Sequence, residues 1–181
     1  MANPTIEGIL EDLKNTITHA KLCHEAWWFL RENRPDRDQI LSVYRKYRTF
    51  FNTIQPALYT SFAVKLASVF DNSEDSINLK TLQREIQKVP NPPFKPKISF
   101  NKIWERGRRL YKYRSKVIAH RDRDVPIRNF AKETGFIYND LINLLSDTCE
   151  FINESAKFLG KPGLPNFSIE DNFKAIIEKL T

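Results

Sequence analysis

The sequence TIEGILEDLKNTITHAKLCHEAWWFLREN, residues 5–33, carries the clearest structural pattern in this chain. Apolar side chains recur in it at intervals of three and four residues: Ile6, Ile9, Leu10, Leu13, Ile17, Ala20, Trp27 and Leu30. Because about 3.6 residues complete a helical turn, this spacing gathers the apolar side chains on one side of a helix. The stretch therefore predicts a long amphipathic helix whose apolar side packs against other elements.

Similar patterns follow along the rest of the chain. A second helix from Pro35 should stop or kink before Pro56, and Pro56 should begin a third helix that runs to Phe70, because proline is well tolerated at a helix start. Further helices are predicted around residues 77–86, from Ser99 to about His120, over residues 136–159, and from Ser168 with Asp171 as a capping partner. No stretch alternates like a strand. We therefore predict an all-α, up-and-down bundle of about six to seven helices.

The segment 89–97 interrupts the helical patterns. It holds four prolines in nine residues, so it cannot be helical throughout. It is expected to be an extended, fairly stiff spacer. The alternative, a ligand for a proline-recognising domain, requires a partner that a spacer does not need.

The composition indicates a single globular domain over residues 1–181. The chain is 41% hydrophobic and 28% charged, which allows a sizeable core and argues against intrinsic disorder. Two cysteines are too few for a disulfide framework, so Cys23 and Cys149 are expected to be reduced and packed in helices. His19 and Cys23 could face one ion, but nothing nearby completes a closed zinc site, so we expect no metal and no cofactor.

Neither a membrane span nor a signal peptide is evident. Crossing a bilayer as a helix takes roughly 20 apolar residues. The longest stretch free of Asp, Glu, Lys and Arg is residues 49–64, and it contains Asn52, Gln55 and Pro56. Residues 1–9 show no basic start followed by an apolar run. We therefore expect a cytoplasmic protein with no membrane partner.

The positive charge of the chain is concentrated in one segment. The chain has 29 Lys and Arg against 22 Asp and Glu, a formal net charge of +7. Residues 102–123 hold nine of the basic residues and two of the acidic ones, and the remainder holds twenty of each. Such a stripe attracts polyanions, most simply nucleic acid. The alternative is that the stripe is only a solvated helix face.

Arg114 occupies an apolar position of the basic helix. The apolar register runs through Ile103, Gly107 and Leu110, and Arg114 lies four residues after Leu110 and four before Ile118. Charged groups are rarely buried unless they are paired. Arg114 therefore snorkels to the surface, forms an internal ion pair, or lines a pocket that an anion enters. The register leaves these three alternatives open.

His120 lies near the predicted end of the same helix. It follows Arg114 by six residues, which is about 120° around an ideal helix. The two side chains therefore share a helix without sharing a face. They converge only if the helix distorts near its end or if a second subunit supplies one of them.

The sequence YRSKVIAHRD, residues 113–122, resembles the signature of HEPN domains, in which four to six residues separate an Arg from a His near a helix end. Five residues separate Arg114 from His120. The similarity is closest to the abortive-infection AbiU-like branch. There a helix that ends like LASVFD, residues 66–71, precedes the motif, and an Ala-His-Arg-Asp-like string closes it. The resemblance extends over roughly residues 62–124.

The resemblance implies a helical bundle, often dimeric, and in many members a metal-independent ribonuclease whose Arg and His from two subunits meet in one cleft. It would make Arg114 and His120 the catalytic residues of an endoribonuclease in phage defence or a toxin system. RNA, a second copy of the chain and a cognate antitoxin or regulatory protein are the partners it implies. The position after the arginine is commonly Asn, Asp or His in active members and is Ser115 here.

These residue types suit RNA cleavage. RNA supplies its own nucleophile, the 2′-hydroxyl, so a site needs a group that exchanges protons near neutral pH and a cation for the phosphate, which His120 and Arg114 provide. The same segment offers RNA contacts, with Arg106, Arg109, Lys116 and Arg121 for phosphates and Tyr113 for a stacked base. Tyr111 is a second stacking candidate, although it and Trp104 are expected to pack in the core.

Two other interpretations of the same residues stay open. A HEPN-like module without catalysis could bind nucleic acid, a nucleotide or a partner protein through the basic helix. Alternatively, Arg114 and His120 are purely structural and close the bundle or a dimer by hydrogen bonds.

Trp27 and Trp28 are adjacent, so their side chains point about 100° apart on a helix. One is therefore expected in the core and the other at an edge or interface, rather than both in a stacking platform.

Overall fold

A computed structural model of the protein describes residues 4–32, 34–73, 75–90, 93–114 and 137–181. These residues form an all-α bundle with no strand, which confirms the predicted fold class. The bundle is built around α1, which packs against α3, α4, α6 and α7. The helices of the described residues are α1 (Ile6–Phe29), α2 (Arg37–Lys46), α3 (Arg48–Ser68), α4 (Leu79–Gln87), α5 (Phe100–Tyr113), α6 (Tyr138–Phe158) and α7 (Glu170–Leu180).

Helix α1 confirms the clearest helical pattern of the sequence. Thr5 caps the helix, because its Oγ1 accepts a hydrogen bond from the Gly8 N–H at 3.1 Å. The apolar side is buried along its length, including Leu13 and Ile17. Burying each large apolar side chain stabilises the fold by roughly 1.5–3 kcal/mol. The helix ends at Phe29, earlier than the predicted residue 33.

The main core is shared by α1, α3, α4, α5 and α6. Its largest fully buried side chains include Phe62, Phe70 and Phe151. The described part of the proline-rich segment is not helical and lies against this core. The Phe94 ring packs 5.8 Å from that of Phe151 between centroids, and the Lys97 N–H donates a hydrogen bond to the Glu154 carboxylate at 2.9 Å. These contacts hold the segment along α6.

The prediction that a helix begins at Pro56 is wrong. The break lies at Tyr47, which separates α2 from α3, and Pro56 is inside α3. Proline lacks the N–H that would bond to the carbonyl of Asn52, and its ring crowds that carbonyl. Both Pro56 and Asn52 are exposed, so water can satisfy the carbonyl that loses its partner. The buried side of α3, which includes Phe62 and Leu66, holds the helix in place.

A second, smaller core joins the end of α1 to α2, α3 and α7. Its buried members are Phe29, Leu30, Ile40, Val43, Phe51 and Ile177. Arg34 ties this region together, because its Nη2 donates to Glu170 at 2.8 Å and its guanidinium lies 4.4 Å from the centroid of the Phe29 ring. Hydrogen bonds from Arg34 and Lys174 lower the pKa of Glu170 to about 2.

The organisation of residues 1–181 as a single domain stays a prediction.

Some helix ends differ in detail from those expected. Ser99 precedes α5 as predicted, but its side chain makes no capping hydrogen bond. Helix α7 begins at Glu170 instead of Ser168. The Ser168 hydroxyl accepts a hydrogen bond from the Glu170 N–H at 3.3 Å, so the expected pairing of Ser168 with Asp171 is wrong. Helix α6 ends as expected before Gly160, whose φ of 65° is a left-handed conformation that glycine adopts without strain. The predicted end of the basic helix, near His120, lies outside the described residues.

Candidate functional site

Helix α5 is the described part of the basic segment, and it has one buried side and one charged side. Ile103, Gly107 and Leu110 are buried, which confirms the apolar register as far as the structure describes it. The opposite side carries exposed cations: Lys102, Arg108, Arg109 and Lys112. In the described part of the chain, the positive charge of α5 therefore faces solvent, where a polyanion can reach it.

The buried side of α5 approaches the end of α3 so closely that residue 107 must be glycine. A Cβ atom placed on Gly107 would lie 2.0, 2.2 and 2.3 Å from three atoms of the Phe70 ring. The Phe70 ring is fully buried, so it has little room to move aside. This contact fixes α5 against the chain segment that continues into Asp71.

Arg114 follows the last residue of α5, and its side chain is half-buried. Its guanidinium carbon lies 5.9 Å from the centroid of the Tyr111 ring. Its positive charge and the Tyr111 hydroxyl both lower the pKa of the Asp71 carboxyl. The structure therefore brings Arg114, Tyr111 and Asp71 together at the C-terminal end of α5.

Asp71 carries a fixed negative charge in this cluster. Burial opposes its ionisation, but hydrogen bonds from the Ser73 N–H and hydroxyl and from the Tyr111 hydroxyl, together with the charge of Arg114, lower the pKa of the carboxyl. The Ser73 N–H lies 2.9 Å from the carboxylate oxygen. The sequence marks Asp71 only as the last residue of LASVFD, residues 66–71, which the resemblance places before the motif, and it does not indicate that Asp71 is near Arg114.

The predicted RNA contacts are only partly described by the structure. Arg106 is half-buried and joins α5 to α6, because its Nη1 lies 2.5 Å from Asp147 Oδ2 and its Nη2 donates to the Asp140 carbonyl at 3.2 Å. Arg109 is exposed. The side chain of Tyr113 lies outside the described residues, as do Ser115, Lys116, His120 and Arg121. Of the predicted catalytic pair, the structure therefore places Arg114 alone.

The two core assignments made for aromatic residues near this site are consistent with the structure. Trp104 is half-buried between Phe70 and Phe100, with ring centroids 6.1 and 5.8 Å away. Tyr111 is half-buried and packs against the main core. Their rings are therefore occupied by contacts within the bundle.

Trp27 and Trp28 divide between core and surface, as predicted. Trp27 is 8% exposed and Trp28 is 36% exposed. Tyr138, in the first turn of α6, stacks on Trp28 with ring centroids 5.2 Å apart. The Tyr138 hydroxyl lies 2.6 Å from His24 Nε2. Burial lowers the pKa of His24, so its imidazole is neutral at neutral pH.

The two cysteines and the residues considered as metal ligands lie away from α5. Cys23 and Cys149 are free thiols, and burial raises the pKa of Cys149 to about 11. His19 is exposed whereas Cys23 is buried, so the two do not face one ion. The described ranges contain no group of three or more His, Cys, Asp or Glu that could hold a metal.

A helix that crosses a bilayer must be long and apolar, and the described helices of this chain differ from that pattern. None of them combines the length and the apolar content needed to cross a membrane.

Comparison with known proteins adds a family match. A family model described as AbiU2, a HEPN family, matches residues 4–161. The matched range includes α1 to α6 and the positions of Arg114 and His120, and it ends before α7. No curated protein and no solved structure matches the chain.

Proposed function

The chain belongs to the AbiU2 family of HEPN domains, and from this premise we propose that it is a metal-independent endoribonuclease. Arg114 and His120 are the proposed catalytic residues. The observation that carries the proposal is the position of Arg114 directly after α5, where its charge lowers the pKa of Asp71, within the range of the family match.

The proposed reaction uses the 2′-hydroxyl of RNA as the nucleophile. This oxygen attacks the adjacent phosphorus, and the bond from phosphorus to the 5′-oxygen of the next nucleotide breaks. His120 takes the proton from the 2′-hydroxyl or gives one to the leaving 5′-oxygen, since an imidazole pKa near 6.5 suits both roles. Arg114 stabilises the charge that develops on the phosphate oxygens. The products are a 2′,3′-cyclic phosphate and a 5′-hydroxyl end.

A homodimer is part of the proposal. On a regular helix, six residues would place Arg114 and His120 about 120° apart. The two side chains therefore reach one phosphate only if the helix distorts near its end or if a second subunit supplies one of them, and we propose the second. Two copies that pack through this region supply Arg114 from one subunit and His120 from the other. Family membership further suggests a cytoplasmic role in abortive infection, phage defence or a toxin system, restrained by a cognate antitoxin or regulatory protein.

A cleavage assay with the His120→Ala variant tests this function. Purified wild type is incubated with a mixed RNA substrate in EDTA, and we expect cleavage that the variant slows by about 100-fold or more, because general acid–base catalysis contributes at least that factor. Circular dichroism confirms that the variant is folded. Equal cleavage by both proteins, or none by a folded wild type that binds RNA, argues against the proposal.

The second candidate function is a HEPN module that binds nucleic acid, a nucleotide or a partner protein without cleaving RNA. Ser115 favours it, because active relatives commonly carry Asn, Asp or His at that position. This function predicts salt-dependent RNA binding that survives His120→Ala. The binding should weaken when Arg109 and Lys116 are neutralised, whereas Arg106 is already paired with Asp147. The slope of log affinity against log salt concentration should fall by about one for each phosphate contact that is lost.

Replacing Asp71 with Asn is expected to slow RNA cleavage by about 10- to 100-fold, because small displacements of a catalytic group have effects of that size. The amide keeps the shape of the side chain but no longer places a negative charge beside Arg114. Asp75→Asn is the matched control, since Asp75 is an exposed aspartate in the same loop. The cleavage rate at saturating RNA distinguishes the variants, and equal rates for both would contradict a positioning role for Asp71.

The contribution of Asp71 to stability should depend on pH in a defined direction. The pKa of Asp71 in the folded protein is lowered from the ordinary value of 3.8. The stabilisation from the ionised carboxylate is therefore complete above pH 3.8, and it is lost as the pH falls through the pKa of the folded protein. The difference in Tm between wild type and Asp71→Asn should therefore stay constant between about pH 6 and 8 and shrink in stronger acid. A difference that changes across the neutral range would contradict this assignment.

A further inference from the structure

An aromatic pocket lies between α1, α3 and α6, apart from the cluster around Arg114. Its volume is about 680 Å³. It is open to solvent, since Trp28 and Arg31 of its lining are exposed. The residues that matter for its chemistry are Trp27, Trp28, Arg31, Gln55, Tyr59 and Tyr138. We call it the aromatic pocket below.

The rings of the aromatic pocket are held in place by contacts with one another. Trp27 packs against Tyr59 and Tyr138, with ring centroids 5.1 and 5.4 Å apart. Tyr138 stacks on Trp28 at an interplanar angle of 14°, and its hydroxyl lies 2.6 Å from His24 Nε2. Because these rings are already fixed, the protein loses little side-chain entropy when a ligand packs on them.

The polar groups of the lining suit a ligand with exposed carbonyl groups. Trp27, Trp28 and Tyr59 each carry an N–H or O–H donor at the edge of the ring, and Gln55 adds an amide that donates and accepts hydrogen bonds. A polyproline II segment has no internal hydrogen bonds, so all its carbonyls are available as acceptors. Aromatic-lined grooves are the surfaces on which proteins dock such segments.

The charge of the lining favours an acidic ligand. Among the described residues that line the pocket, Arg31 carries the only formal charge. Its guanidinium carbon lies 4.8 Å from the centroid of the Trp27 ring. Its charge also reaches Tyr59 on α3, where it opposes the rise in pKa that burial causes. Arg31 therefore lies beside the rings on both helices, where it attracts a carboxylate and repels a cation.

We propose that the aromatic pocket docks a proline-rich segment of another protein, with an acidic residue beside the prolines. The proline rings pack on the aromatic rings, and the carboxylate lies against Arg31. A polyproline II segment is already extended before it binds, so ordering it costs little. This site shares no residue with the cluster around Arg114, and it does not depend on RNA cleavage.

The proline-rich segment of this chain has the wrong charge to be the occupant. Residues 89–97 hold Lys95 and Lys97 and no acidic residue, so Arg31 would repel the same segment of a second copy. The Phe94 ring of this segment is also engaged, because it packs 5.8 and 5.2 Å from the rings of Phe151 and Phe158 between centroids. The occupant is therefore a different protein with an acidic proline-rich segment.

Fluorescence anisotropy with a labelled decaproline peptide that carries one central Asp tests the docking of proline rings on the full chain. Trp28→Leu should weaken binding roughly tenfold, because truncating an aromatic anchor of an interface costs about that factor or more. Phe50→Leu is the matched control, since Phe50 is an exposed aromatic residue of α3 outside the pocket. It should bind the peptide as wild type does.

A second peptide, with Asn in place of the Asp, tests the role of Arg31. Wild type should bind the Asp peptide about threefold more tightly than the Asn peptide, which is the scale of an exposed ion pair. Arg31→Gln should bind the two peptides equally. Arg45→Gln is the control, because Arg45 is an exposed arginine of α2 outside the pocket, and it should keep the difference.

A third peptide keeps the Asp but replaces the prolines with alternating Gly and Ser. The proposal is overturned if this peptide binds as tightly as the proline peptide, if the proline peptides do not bind, or if Trp28→Leu and Arg31→Gln bind them as wild type does. A single-stranded oligoadenylate, titrated in the His120→Ala background, adds one more outcome. If the two substitutions weaken binding of the strand but not of the peptide, the occupant is a nucleic acid and the proposal is wrong.

Discussion

An Arg114→Ala variant is expected to cleave RNA about 100-fold more slowly than wild type, while its affinity for RNA changes little. The reason is that a cation aimed at the developing charge on a phosphate acts mainly in the transition state, and losing one such group costs about that factor in rate. Many other cations contribute to ground-state binding of RNA. The loss should therefore appear in the cleavage rate at saturating RNA.

The matched control for this variant is Arg45→Ala. Arg45 is an exposed arginine in the last turn of α2, away from the basic helix. The Arg45→Ala variant should cleave RNA at the wild-type rate. Arg114→Lys should recover only part of the lost rate, because lysine keeps the charge but not the planar fork that binds two phosphate oxygens. If Arg114→Ala lowers Tm but cleaves RNA as fast as wild type, the arginine is structural.

A Gly107→Ala variant is expected to lower Tm by roughly 4 to 8 °C. Overpacking of the buried Phe70 ring costs about 3 kcal/mol, whereas the better helix propensity of alanine returns about 1 kcal/mol. The net loss of about 2 kcal/mol corresponds to that change in Tm for a chain of this length. The clash wins because the added Cβ would meet three ring atoms within 2.3 Å.

Gly8→Ala is the control for this effect. A Cβ on Gly8 would meet only Thr5 Oγ1, at 3.4 Å, which the surroundings tolerate easily. Alanine there should leave stability unchanged or raise it by up to about 1 kcal/mol. Thermal unfolding monitored by circular dichroism compares the two variants. Shifts of the same sign and size would mean that α5 does not pack against Phe70 as closely as the structure shows.

The helices with strong local patterns could be predicted from the sequence. The apolar spacing of α1 and α6 is complete within each helix, so no distant partner is needed to recognise it. Pro56 shows where local rules fail. Proline usually begins or breaks a helix. Packing of the buried side of α3 nevertheless keeps the chain helical across Pro56, and the helical structure is interrupted at Tyr47 instead. Tertiary packing outweighs local preference at that position.

The candidate site could be predicted only in part, because its contacts join residues far apart in the chain. The position of Arg114 follows from the register of a single helix. The ion pair of Arg106 joins residues 41 positions apart, and the contact of His24 with Tyr138 joins residues 114 apart. Neither leaves a periodic trace in the sequence. The effect of Arg114 on the pKa of Asp71 likewise emerges only from the folded chain.

The measurement that tests the proposed ribonuclease most directly is the chemical identity of the RNA ends that the wild type produces in EDTA. Attack by the 2′-hydroxyl leaves a 2′,3′-cyclic phosphate on one fragment and a 5′-hydroxyl on the other. We expect these ends, and we expect them to be absent from digests by His120→Ala. Fragments with a 3′-hydroxyl and a 5′-phosphate would show that water is the nucleophile and would contradict the mechanism proposed for Arg114 and His120.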